Sequence, residues 1–131
     1  MTTISAFEDI EAWKKARQLV SDIYKHTKKP EVKTDFGYCD QIQRAAMSAM
    51  SNIAEGFGRQ SDKEFAQFLN LSKGSACEVS SMLYAGLDIG YLSTDEFGNL
   101  QTICKDTLLM TAKLQGYLRR SIRSSKSVRH P

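Results

Sequence analysis

Six polar residues recur along residues 41–59: Gln41, Arg44, Ser48, Asn52, Glu55 and Arg59, separated by 3, 4, 4, 3 and 4 positions. At about 100° of rotation per helical residue they fall on one narrow stripe. An arginine on such a stripe can hold a carboxylate in a two-pronged fork, and Ser48 and Asn52 can both donate and accept. Glu55 and Arg59 are i,i+4 neighbours. Glu78, further along the chain, is the expected partner of Arg44 or Asn52. Between the polar residues lie Ile42, Ala45, Ala46, Ala49, Met50, Ile53, Ala54 and Phe57. They cover more than half of the remaining circumference, whereas a surface helix usually buries an arc of only ~100° or a little more. The helix is therefore expected to be enclosed on several sides, with its seam partly buried and its polar groups paired. The favoured reading is a structural network of Arg44, Ser48, Asn52, Glu55 and Glu78 that sets helix register or joins subunits. The other reading is a contact to a ligand or RNA.

Other chemistry is sparse. Glu55 and Glu78 have no histidine or cysteine at motif spacing, so no acid–base set and no catalytic residue is assigned. Cys39, Cys77 and Cys104 are far apart and form no CxxC pair or Cys/His cluster. Neither a disulfide framework nor a zinc site is expected, and all three are read as buried free thiols. No metal, cofactor or small-molecule substrate is implied. Gly56-Phe57-Gly58-Arg59 ends a helix, whereas a phosphate loop precedes one. His26, near a helix end, and His130 are expected in solvent. Trp13 and Tyr24 are expected as core or interface anchors.

The chain has 131 residues and a net charge of +3. Of its 18 basic residues, Arg119, Arg120, Arg123, Lys126 and Arg129 lie in residues 119–131, where there is no acid; 13 remain against 15 acids in residues 1–118. The body is thus slightly acidic, and the tail carries the basic excess. Those five residues are the candidate nucleic-acid contacts, since cations on a flexible segment can neutralise phosphates without a fold; a solubilising tail is the alternative. No leader-like start and no apolar run of membrane-spanning length are present, so a cytoplasmic location is expected and no membrane partner.

Helical periodicity organises the rest of the chain, and no segment shows sustained strand alternation. Ser5-x-x-Glu8, Ser61-x-x-Glu64 and Ser93-x-x-Glu96 each read as a capping box, and Thr34-Asp35 supplies a fourth helix start. The spacing predicts helices over about 6–28, 36–57, 62–89 and 94–121. Gly56 and Gly58 are read as left-handed C-terminal residues. Gly74, Ser75 and Gly86 are read as marking close approach of another backbone. Short links make this an all-α, up-down-up-down antiparallel four-helix bundle, with residues 1–123 as the bundle and 124–131 as a basic flexible tail.

Several motifs together resemble a known family. They are Phe7-Glu8-Asp9-Ile10-Glu11-Ala12-Trp13, Gln41-x-x-Arg44-Ala45-Ala46-x-Ser48 and Asn52-Ile53-Ala54-Glu55-Gly56, followed by Phe65-x-x-Phe68-Leu69, Gly74-Ser75, Glu78 and Gly90-Tyr91-Leu92. Over about residues 6–118 the chain resembles the bacterial four-helix-bundle proteins encoded in intervening sequences of large-subunit ribosomal RNA genes. These are related to the accessory variability determinant of diversity-generating retroelements. The resemblance implies a ring, typically a homopentamer, with no established catalysis; the retroelement relatives are thought to bind nucleic acid and a reverse transcriptase through a basic surface. Two departures stand out: Met50 where the family often has proline, and a body without the basic excess. The expected function is a non-enzymatic oligomeric scaffold. The alternative is an RNA- or DNA-binding accessory protein acting with ribosomal RNA or a reverse transcriptase.

Overall fold

Serine and aspartate side chains start three of the long helices, where their hydroxyl or carboxylate accepts from a free backbone N–H. In the computed structural model, which describes residues 4–124, a one-turn 3-10 helix at Phe7–Asp9 precedes five α-helices. They are α1 (Glu11–Thr27), α2 (Pro30–Lys33), α3 (Phe36–Phe57), α4 (Asp62–Ile89) and α5 (Thr94–Ser124). Asp35 accepts from the Tyr38 N–H at 3.1 Å to cap α3. Ser61 accepts from the Glu64 N–H at 3.1 Å, and Ser93 from the Glu96 N–H at 3.1 Å. Glu96 returns the contact to the Ser93 N–H at 2.8 Å, completing that capping box.

The box expected at Ser5 and Glu8 does not form. Ser5 donates instead to the Asp9 carboxylate at 3.3 Å. Ile10 takes an extended backbone (φ −77°, ψ 119°) and is buried, and α1 begins only after it. Burying Ile10 bends the chain where periodicity alone would continue the helix. The link after α1 is not plain loop either: Pro30 opens the short α2, whose Val32 is fully buried.

The backbone of α1 lies beside α3 and α5, and that of α4 beside α3 and α5, while α1–α4 and α3–α5 are the diagonal pairs. Along α3 and α4, Gln41 meets Glu78, Ser48 meets Ser75 and Gly56 faces Phe65, so these two helices run antiparallel. Along α4 and α5, Ser80 meets Gln101 and Ala66 meets Gln115, again in opposite order. The core falls into two clusters. One, at the α4–α5 turn, includes Leu19, Ile23, Val32, Ile42, Leu83 and Leu92; the other, at the α3–α4 link, includes Trp13, Ile53, Phe65, Leu69, Leu114 and Leu118. Buried Ser72, Thr107 and Thr111 belong to neither cluster, and each hydroxyl donates to a helix carbonyl, at 2.6–2.8 Å.

The glycines have other roles than expected. Among the described residues only Gly90, which caps α4, has a positive φ, of 95°. Gly56 is helical and buried, and a Cβ on it would lie 2.6 Å from the Phe68 Cβ. Gly86 does face a close neighbour, but it is the Tyr38 side chain, and nothing lies within 4 Å of where a Gly74 Cβ would sit. Gly56→Ala is therefore expected to destabilise the fold by about 1–3 kcal/mol. Gly74→Ala is expected to stabilise it by up to ~1 kcal/mol through helix propensity. Thermal denaturation followed by circular dichroism checks the opposite signs.

Candidate interaction site between α3 and α4

The apolar arc of α3 is covered largely within the chain. Ile42, Ala45, Ala46, Ala49 and Ile53 are buried, and Met50, Ala54 and Phe57 are half-buried. α1 and α4 share this cover, which accounts for the arc's width without a second subunit. The seam lies outside them, along the solvent-facing groove beside α4. Gln41, Arg44 and Glu55 are exposed, as is Glu78, and Ser48 and Asn52 are half-buried.

The five residues expected as one network are divided. Ser48 is a local centre: the Asn52 amide donates to its carbonyl at 2.8 Å and its hydroxyl at 2.9 Å, and the Ser75 hydroxyl of α4 donates to the same hydroxyl at 2.7 Å. Glu55 pairs with Arg59 at 3.3 Å, an exposed i,i+4 contact of small energetic weight. The guanidinium of Arg59 also lies over the Phe68 ring, 4.7 Å from its centre. Glu78 accepts from the Gln41 amide at 3.2 Å rather than from Arg44 or Asn52. The cause is register: Glu78 is level with Gln41 and Ser75 with Ser48, which leaves Arg44 between the two rungs. Among the described residues Arg44 has no hydrogen bond or ion-pair partner. It stands at a hollow of about 450 Å³ with Asp40, Gln41, Ser48, Ser75 and Glu78. Leu71 of α4 and Met47 of α3 are exposed at 57% and 46%.

Arg119, Arg120 and Arg123 stand on the last turns of α5, not on a loose tail, and all three are exposed. Arg120 lies 5.9 Å from the Tyr117 ring centre. Lys126 and Arg129 lie outside the described residues. Cys39 and Cys104 are buried free thiols, with burial pushing Cys104 up to about 11, but Cys77 is exposed. It sits on the outer side of α4, one position past buried Ala76. Among the described residues no group of three or more His, Cys, Asp or Glu is placed to hold a metal ion, and no helix is long and apolar enough to cross a membrane.

A second polar cluster went unread in the sequence. His26 is not in solvent but 5% exposed, with Nε2 2.7 Å from the Tyr38 hydroxyl. Tyr38 packs edge-on against Tyr91, whose hydroxyl donates to Asp35 at 2.6 Å. Lys29 donates to the Tyr91 carbonyl at 2.6 Å and to Glu96 at 3.1 Å. Burial, reinforced by the Lys29 charge, holds the His26 pKa down at about 4. The Tyr91 hydroxyl and the Tyr38 N–H hold Asp35 below its ordinary value, and the Ser93 N–H with Lys29 does the same for Glu96. The available signal was spacing: Leu19, Ile23 and His26 follow one another at four and three positions, so His26 continues an inward stripe.

The sequence profile of the 23S rRNA-intervening sequence proteins matches residues 8–113. The chain belongs to this family. The profile spans most of the long helices, including the whole α3–α4 groove. A solved structure of a protein of unknown function from the S23 ribosomal protein family of Bacteroides thetaiotaomicron is similar in fold. It has a TM-score of 0.73 and 20% identity, over 79% of this chain and 97% of that one. At that identity the likeness carries the helical fold alone. No curated protein matches the chain. Within this member of the family the groove makes a direct test possible. Arg44→Ala is expected to change unfolding stability by less than ~0.5 kcal/mol, as for a surface residue without partners. Asn52→Asp sets an acceptor against the Ser48 carbonyl and is expected to cost about 1–2 kcal/mol. Urea denaturation of dilute protein measures both.

Proposed function

We propose that this chain is a non-enzymatic scaffold that works in the cytoplasm by self-association, as a ring of five copies. The observation that carries the reading is Arg44. Among the described residues it is a cation without a partner, set in an open hollow with two carboxylates and two hydroxyls, and exposed Met47 lies three positions further along the same helix. Arginine beside apolar surface is a composition enriched at protein interfaces. Because Asp40 and Glu78 outnumber Arg44 there, the hollow suits a protein surface of mixed charge better than a phosphate backbone. The number five comes from the resemblance to the ribosomal-RNA-encoded bundles and their retroelement relatives. Light scattering at micromolar concentration is expected to give a mass of five times the 14.7 kDa chain. Arg44→Glu is expected to weaken the assembly about 10-fold or more. A wild-type mass of one chain would overturn the reading.

A second reading, an accessory protein that binds RNA or DNA beside ribosomal RNA or a reverse transcriptase, has one observation in its favour. Arg119, Arg120 and Arg123 are exposed together at the end of α5 without an ion-pair partner among the described residues. A ring would display this cluster on every subunit and raise a weak contact by avidity. Truncation is a poor test, because Leu118 and Ser121 at this end of α5 are buried. Replacing the three arginines with glutamine is expected to leave the fold intact and to weaken a salt-sensitive shift of labelled RNA. It should also make the salt dependence shallower. An unchanged shift would exclude this surface.

A further inference from the structure

We propose that the end of the bundle where α1, α3 and the α4–α5 turn meet is an acid-sensitive latch, closed by uncharged His26 and released when His26 takes up a proton. The Nδ1 of His26 is the buried side-chain polar atom that lacks a partner among the described residues. A neutral imidazole tolerates this arrangement, because one nitrogen carries no hydrogen. A protonated ring has N–H on both nitrogens, and Nδ1–H would then be a buried donor with nothing to accept it.

The Glu96 and Glu31 carboxylates favour a charged ring, but burial and Lys29 outweigh them and no described group accepts from Nδ1. Lys29 faces the ring from the α1–α2 link and its charge opposes a second cation, while Glu31 of α2 lies close to Lys29 at 3.9 Å. From α3 come Tyr38, Cys39 and Asp35. Tyr38 holds Nε2, Cys39 donates to the Val32 carbonyl at 3.3 Å, and Asp35 already accepts from Tyr91 and Tyr38. From α5, Glu96 is held by Lys29 and the Ser93 N–H. α4 contributes Gly86, which gives Tyr38 its space. Tyr38 is the shared element: it touches His26 of α1, lies over Gly86 of α4 and packs on Tyr91 of the turn. Losing the His26 contact therefore uncovers one core cluster. The cluster around Trp13, Phe65 and Leu118 shares no residue with it, so opening stays local.

The sign follows from the folded and open pKa values. His26 binds its proton near 4 when closed and near 6.5 when open. The closed form is fully favoured above pH ~6.5 and loses ground as pH falls towards ~4. Between pH 6.5 and 4 the open-to-closed ratio rises about 80-fold, and it approaches roughly 300-fold only well below pH 4. Asp35 and Glu96, held below their ordinary values, give way only at lower pH.

Hydrogen–deuterium exchange by mass spectrometry at pH 7 and pH 4.5, corrected for intrinsic rates, tests this. Amides in about 19–40 and 84–97 are expected to lose protection ~50- to 100-fold, while those in about 53–70 and 107–118 keep theirs. His26→Gln is expected to remove the regional difference. Loss spread evenly over the chain, or the same regional loss in His26→Gln, would overturn the latch. Should that variant fail to fold, the wild-type imidazole is titrated by NMR with His130→Gln for assignment. An apparent pKa below 5 supports the proposal, and one near 6.5 overturns it.

Discussion

The close approach of α3 and α4 is the constraint on which the remaining geometry rests. Gly56 lies against Phe65 and Phe68, and the Ser72 hydroxyl donates to the Ala49 carbonyl at 2.6 Å. Ser48 meets Ser75 across the same line. Small residues at these points let two helices sit near enough for side chains of one to bond the backbone of the other. That spacing fixes the register, and the register decides which polar residues find partners. Ser48 and Asn52 are satisfied because they lie on a rung. Arg44, which lies between two, has no partner among the described residues.

The α4–α5 contact follows a similar logic with longer side chains. The Gln101 amide donates to the Ser80 carbonyl, the Cys104 thiol to the Ala76 carbonyl and the Gln115 amide to the Ala66 carbonyl, at 2.9–3.0 Å. Apolar packing alone would tolerate sliding by a turn. Buried donors aimed at particular carbonyls do not, since a slip would strand each of them without a partner. The two apolar clusters, with buried hydroxyls bonded to helix carbonyls among them, thus form a bundle whose alignment is specified by polar contacts and whose stability comes from burial.

Much of this was legible from periodicity and capping residues. The all-helical class, the long runs and the starts at Ser61 and Ser93 depend on local chemistry, which a sequence states directly. Features set by tertiary packing were not legible. Ile10 leaves the helical path because the core takes its side chain. Gly56 is small because of Phe68, which is 12 positions away. Glu78 meets Gln41 instead of Arg44 because register is a property of two helices together. His26 carried a spacing signal, but a polar residue at a helix end reads as solvated until the partner that buries it, Tyr38, is known. The width of the α3 arc was real, yet neighbours within the chain account for most of it.

Closure of the helix square depends on contacts between distant parts of the chain. The backbone of α1 lies close to α3 on one side and α5 on the other, while α4 stands diagonally across the core. During synthesis, α3 and α4 can pair as soon as both have left the ribosome. At that stage α1 has only α3 beside it, and the inward faces of Trp13 and Ala16 still await Leu114 and Leu118. The nascent chain therefore carries a partly uncovered first helix until α5 emerges, and folding completes only with the segment made last among the described helices.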